Sequence, residues 1–257
     1  MAVSIPKDNP ALHQGRIRAS PHVDGQWASH IYVAIKLSLR SGLYGLIKRA
    51  SDRAREAVPT LRDIWDLRSS SSEAQENEPQ NSLELHISLS KPVFLRAHQR
   101  EEFKQAIRLL AQRDTAFKLS FTTFSVLVND EKTRAFLALD VGAGHHELKA
   151  LVEGISPTLK SFRQKDYYSD PKFHASIAWA LLDPPNEPEA AKVSSPVIPA
   201  SSDLTQFPTI PCIPEELVSQ LNEEFMTELH SKSVGIHDVR KVNVKIGKEV
   251  SSWLLGS

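Results

Sequence analysis

The sequence predicts an α+β fold, a single domain of two lobes over residues 1–257 with antiparallel sheets flanking a central cleft and helices outside. Three observations predict it. Segments with an apolar period of two alternate with segments whose period is near 3.6, the marks of strands and amphipathic helices. The order strand, helix, strand, helix, strands is read twice along the chain, the weak internal repeat of a pseudo-twofold architecture. Finally, 257 residues, 40% of them hydrophobic and 24% charged, can bury a substantial core without disulfides or metals.

The elements follow in order. Ile31, Val33 and Ile35 alternate as in a strand, and Leu37 to Ala50 reads as a helix despite Gly42 and Gly45. Leu83 to Ser90 alternates again. Ala97 to Arg113 puts Phe103, Ala106, Ile107 and Leu110 on one helical stripe. Phe117 to Val128 and Thr133 to Val141 read as a hairpin around Asn129-Asp130-Glu131-Lys132. In the second half, Leu148, Leu151, Val152, Ile155, Leu159 and Phe162 carry the strongest helical period, and Phe173 to Leu181 alternates. Pro214 precedes a helix with Leu217, Leu221, Phe225 and Leu229 on one face, and Val239 to Gly247 with Val250 to Leu255 closes a second hairpin.

Two segments read as flexible insertions. Residues 69–82 (SSSSEAQENEPQNS) are polar and serine-rich, too poor in apolar surface to offset the entropy of ordering. Residues 183–214 hold eight of the 16 prolines, which remove backbone donors.

The formal net charge of zero leaves any nucleic-acid contact to a local surface. A single cysteine, Cys212, excludes an intramolecular disulfide and a cysteine-cluster zinc site, and points to a reducing compartment. The start Met1-Ala2-Val3-Ser4-Ile5-Pro6-Lys7 lacks a signal-peptide pattern and no run has the length of a membrane span, so we expect a soluble intracellular monomer without membrane partners.

The chemistry is concentrated in two His-x-Ser tripeptides. In Leu83 to Ser90, Leu85, Ile87 and Leu89 take one face of the strand, while Glu84, His86, Ser88 and Ser90 take the other. In Phe173 to Ala180, Phe173, Ala175, Ile177 and Trp179 face inward, and His174 and Ser176 lie opposite, with small Ala178 and Ala180 beside them leaving room for a substrate. One such tripeptide is the common half-exposed strand residue. Two at the same strand phase, in corresponding strands of a half-repeat, predict facing imidazoles across a symmetric cleft. Such a pair suits phosphodiester cleavage in RNA: a neutral imidazole takes the proton of a ribose 2′-hydroxyl and a protonated one donates to the departing 5′-oxygen. The serine hydroxyls donate hydrogen bonds to the non-bridging oxygens as charge builds there. The arrangement requires no metal and no cofactor, and it does not decide which histidine is the base.

At these residues the chain resembles the 2H phosphoesterase superfamily. Within it, the chain is similar to the U6 small nuclear RNA 3′-end-processing phosphodiesterase family through Gly15-Arg16-Ile17-Arg18, Pro21-His22, Gly25-Gln26-Trp27, His30-Ile31-Tyr32-Val33, Glu131-Lys132-Thr133-Arg134 and Tyr168 with Asp170-Pro171 ahead of Phe173-His174. The resemblance implies a nuclear 3′→5′ exoribonuclease. It would trim the single-stranded oligouridine tail of U6 RNA and leave a 2′,3′-cyclic or 3′ phosphate. It further implies that His86 and His174 are the proton donor and acceptor, that Ser88 and Ser176 hold the phosphate, and that Tyr168 stacks on a terminal base. Asp130, Lys172 and Phe173 would then lie near the nucleotide. Other relatives of this superfamily act on 2′,3′-cyclic phosphates or 2′–5′ linkages, and a non-catalytic RNA-end binding module is the reading from a different class.

Other motifs read as structural. His145-His146-Glu147 is a helix start, since adjacent histidines diverge on a helix and no third ligand follows. Gly142-Ala143-Gly144 is a turn, too short for a dinucleotide fingerprint. Arg240, Lys241, Lys245 and Lys248 read as the solvated face of an edge strand, and His22 and Trp27 as structural residues.

Overall fold

The computed structural model describes residues 14–15, 23–64, 82–184 and 207–256. Of the two expected insertions, residues 69–81 and 185–206 lie outside the described residues, as do residues 16–18 and 21–22 of the family motifs. Among the described residues the strands are β1 (Gln26–Ser38), β2 (Arg62–Asp63), β3 (Ser82–Ser88), β4 (Val93–Arg96), β5 (Phe117–Val128), β6 (Arg134–Val141), β7 (His174–Leu182), β8 (Thr209–Ile210), β9 (Ile236–Val239), β10 (Lys241–Ile246) and β11 (Glu249–Leu254). The helices are α1 (Gly42–Ala57), α2 (Arg100–Arg113), α3 (His145–Ser161), α4 (Glu215–Leu229) and the single turn α5 (Lys232–Gly235).

The expected α+β architecture of antiparallel strands with helices is present. The first helix begins later than its hydrophobic period, because Leu37 is the last buried residue of β1 and the Ser41 hydroxyl caps the helix by accepting from Tyr44 N at 3.3 Å. From there Leu43, Leu46, Ile47, Ala50 and Ala54 form one buried stripe. The Gly142-Ala143-Gly144 turn ends at the N-cap of α3. Gly144 sits there at φ +89°, where a Cβ would come within 2.7 Å of Leu119 Cβ, so both backbone conformation and space require glycine.

The strand order is β11-β10-β1-β3-β7-β6-β5-β9, with β4 on β1 and with β2 and β8 on β7. Two four-stranded halves of this order meet between β3 and β7, and their pairing is the single register point Ile87↔Ala175. The lobes are not the two halves of the sequence. Hairpin β5–β6, from the first half, pairs with β7, whereas hairpin β10–β11, from the second half, pairs with β1. Helices follow the same exchange: α4 packs on β5 with α1 beside it, and α2 packs on β10 and β11. Each half thus contributes strands to both sides of the β3–β7 seam, which ties the two sides together. It also places β10 between β1 and β11, so Lys241 and Lys245 are on an interior strand and not on the expected edge.

Ile87 and Ala175, at the seam, are both fully buried in the common core. Truncation there removes apolar contact from both lobes at once and leaves a cavity. We therefore expect Ile87→Ala to lose about 2–5 kcal/mol of unfolding free energy, read from the midpoint of a denaturant titration.

Candidate active site

The seam register positions both motifs. Antiparallel pairing brings β3 and β7 together at Ile87↔Ala175, so His86 and Ser88 flank that point on one strand and His174 and Ser176 flank it on the other. Since Ile87 and Ala175 point into the core, the four polar side chains share the other face, where each is partly exposed.

The two rings are held differently. The His174 Nδ1–H donates to the Lys172 carbonyl at 2.7 Å, and a carbonyl only accepts, so Nδ1 carries hydrogen and in the neutral ring Nε2 keeps its lone pair. Burial pushes the His174 pKa below its ordinary value, outweighing the Lys172 carbonyl and the charge of Asp140, which act upward. Asp140, paired with His174 across β6 and β7, is itself held by the Ser125 hydroxyl at 2.6 Å.

On the other strand the His86 Nε2 donates to Glu84 Oε1 at 2.7 Å, and Tyr32 lays its ring 3.9 Å from the His86 ring, with His30 stacked on Tyr32 at 4.9 Å and 6.2 Å from His86. A carboxylate is an acceptor, so this nitrogen bears hydrogen. Lys36 lies 4.0 Å from the other Glu84 oxygen. Sequence reading placed Glu84 on the right face but gave it no task, and it named Tyr32 only as a family position. The period of two already put His30 and Tyr32 on the face opposite Ile31 and Val33. The missing signal was the β1–β3 register, Tyr32↔Ser88 and Ala34↔His86, a long-range fact.

Other expected site residues separate into those at the cleft and those behind it. Asp130, in the β5–β6 turn, and Tyr168, ahead of β7, meet: the phenol donates to Asp130 Oδ1 at 3.0 Å. Lys91 joins them, its ammonium 3.1 Å from Asp130 Oδ2 and 3.9 Å from the Tyr168 ring centroid. Lys91 and Tyr168 hydrogen-bond the Asp130 carboxyl and hold it below the usual carboxylate range. Lys172 is exposed and acts on His174 through its carbonyl.

Three expectations need correction. The Phe173 side chain is 2% exposed, packed on His145 and Tyr167, so it supports the wall and does not reach a ligand. Ala178 and Ala180 are buried, because the register slips between Leu137↔Ala178 and Ala138↔Ser176 and the strict alternation of β7 ends there. They do not line a cleft. Ser90, also buried, lies past the end of β3 and accepts the Ile31 N–H at 2.9 Å, a structural bond. His145 does start a helix as expected, and its Nε2 donates to the Pro171 carbonyl at 3.1 Å. Among the described residues no group of three or more His, Cys, Asp or Glu side chains could hold a metal ion.

Residues 2–253 match the model of the HVSL family, described as an uncharacterised conserved protein. The chain belongs to that family. Among curated proteins, U6 snRNA phosphodiesterase 1 of Mus musculus is 34% identical over 181 residues, covering 69% of this chain and 59% of the mouse protein. The Homo sapiens protein of the same name is 32% identical over 181 residues, covering 69% and 60%. The chain thus spans less than two thirds of the length of these relatives. Among solved structures, Kluyveromyces marxianus Usb1 shares the fold, with a TM-score of 0.50 and 14% identity over 88% of this chain and 97% of that one. This HVSL protein therefore has the α+β fold that Kluyveromyces marxianus Usb1 also has.

Proposed function

We propose that this HVSL protein is a metal-independent 3′→5′ RNA phosphodiesterase that removes nucleotides from the oligouridine tail of U6 small nuclear RNA, working in the nucleus as a monomer. The single observation that carries the reading is the seam register, which sets two His-x-Ser motifs on one face, each imidazole held by a hydrogen bond. The relatives named U6 snRNA phosphodiesterase 1 supply the substrate class.

In the mechanism we infer, His174 is the base and His86 the acid. The His174 Nε2 lone pair takes the proton of the 2′-hydroxyl next to the scissile phosphate, the 2′-oxygen attacks phosphorus, and the bond from phosphorus to the 5′-oxygen breaks. His86, protonated to imidazolium beside Glu84, gives a ring proton to that 5′-oxygen and becomes neutral, releasing the terminal nucleoside and leaving a 2′,3′-cyclic phosphate. Ser88 and Ser176 donate to the non-bridging oxygens. Glu84 and Tyr32 keep the His86 ring oriented before substrate arrives. Exchange of roles between the histidines would allow water to open the cycle to a 3′ phosphate.

The test is incubation of a 3′-oligouridylated RNA with the protein in EDTA, followed by analysis of the shortened RNA ends. Shortened RNA bearing a cyclic or 3′ phosphate is expected, at a rate indifferent to EDTA. Binding without any shortening would mark a non-catalytic end-binding module, and preferential turnover of a cyclic-phosphate-ended nucleotide would mark a cyclic phosphodiesterase.

The pH profile follows from the base. A neutral His174 is required, and burial lowers its pKa from the ordinary 6.5, so the midpoint of its protonation, and of the loss of rate, lies below that value. In a profile of kcat/KM from about pH 5 to 9 the acid limb lies below 6.5. An acid limb above it would remove His174 from the role of base.

A further inference from the structure

Lys91 has no part in the acid–base chemistry, yet its position is defined by two contacts that an exposed lysine does not need. Its ammonium is 3.1 Å from Asp130 Oδ2 and 3.9 Å from the centroid of the Tyr168 ring. The three residues come from three separate segments: Lys91 follows the His86 strand, Asp130 sits in the β5–β6 turn, and Tyr168 precedes the His174 strand. The Tyr168 ring is constrained on several sides at once. Its hydroxyl donates to Asp130 Oδ1 at 3.0 Å, the Tyr167 ring meets it nearly edge-on at 5.0 Å and 66°, and the ammonium covers one face. At 3.9 Å the ammonium is already at van der Waals separation from the ring, so no base can enter between them.

We propose that Lys91, anchored by Asp130, closes one face of Tyr168 and makes the tyrosine a one-sided platform, so that the terminal nucleobase stacks only on the opposite face. Lys91 is a positioning residue: it acts on the base through the ring. This rests on the nuclease reading above and deepens it by naming what sets the pose of the terminal nucleotide. A flat ring with two open faces and a free hinge admits a base in two poses, and only one of them brings the adjoining phosphate to the histidines. Asp130 serves both members, orienting the phenol through one oxygen and holding the lysine through the other. Burial works against the Lys91 charge, but the Asp130 hydrogen bond and the neighbouring charges outweigh it, and the ammonium stays above the ordinary lysine range. With Asp130 beside it, the lysine is a poor phosphate anchor and a good cover for an aromatic face.

The experiment titrates uridine monophosphate and ribose 5-phosphate into the full chain, following NMR chemical shifts, for the wild type, Lys91→Met, Tyr168→Ala and the double variant. Methionine keeps the length of the side chain and removes its charge. We expect Lys91→Met to weaken uridine monophosphate about 3–10-fold, to leave ribose phosphate within about twofold, and to add nothing in the Tyr168→Ala background. Equal loss for ribose phosphate would mean that the lysine grips phosphate. Tighter uridine monophosphate binding would mean that it blocks the stacking face. Either result overturns the proposal, as does a full Lys91→Met effect without Tyr168 or a wild type that does not prefer the ligand bearing a base. Oligouridine cleavage by the same proteins separates the two claims. Cleavage without base-dependent binding discards the platform alone, whereas base-dependent binding without cleavage discards the nuclease reading alone.

Discussion

Replacement of His174 by alanine is expected to slow oligouridine shortening by about 10²–10⁴-fold, and His86→Ala by a similar factor. In the proposed mechanism each histidine supplies one proton transfer in the same step. The 2′-hydroxyl is a poor nucleophile while it keeps its proton, and the 5′-oxygen is a poor leaving group while it remains anionic. Loss of either imidazole therefore leaves one half of the reaction uncompensated. Because the two act as a unit, the double variant is expected to be little worse than the worse single one. Both rings lie partly exposed on the polar face and do not fill the core, so neither truncation opens a cavity. Circular dichroism and the thermal midpoint should stay near wild type, which separates lost chemistry from lost fold. Initial rates on a labelled oligouridine give the result directly, and full activity in either variant would remove that residue from the mechanism.

A larger effect is expected on the substrate side. When the ribose 5′ of the scissile phosphate carries hydrogen or methoxy at the 2′ position, shortening should fall by at least about 10⁵-fold. The 2′-oxygen is bound to the ribose that bears the phosphate, so its attack is intramolecular, with the effective concentration of a well-placed neighbouring group. Once it is removed, a water molecule would have to be positioned and activated by a base placed for a different oxygen. The comparison needs only two oligouridines differing at that single sugar, incubated with the same protein. Comparable rates on both would show that water is the nucleophile in the first step, and the cyclic-phosphate route would be abandoned.

Much of this site was legible because strand alternation is local. A side chain's face depends only on the parity of its position, so His86, Ser88, His174 and Ser176 could be assigned to polar faces without knowing what the strands pair with. The same parity failed in β7 beyond Ser176, because the bulge against β6 is a property of the pair of strands and is written in neither one alone. Phe173 shows a related limit. Its inward phase was read correctly from alternation, and the ligand contact implied by family resemblance is incompatible with its burial against His145 and Tyr167.

What the sequence by itself determined is therefore the longer strands and helices, most of their amphipathic faces and the two motifs, all consequences of periodicity over a few residues. Tertiary structure alone decided the register Ile87↔Ala175, the exchange of hairpins between lobes, the Glu84 and Tyr32 contacts to His86, and the meeting of Lys91, Asp130 and Tyr168. The reason is physical. These contacts join residues distant along the chain, and which of them form depends on how the whole apolar surface is buried at once, a quantity that no short window of sequence contains.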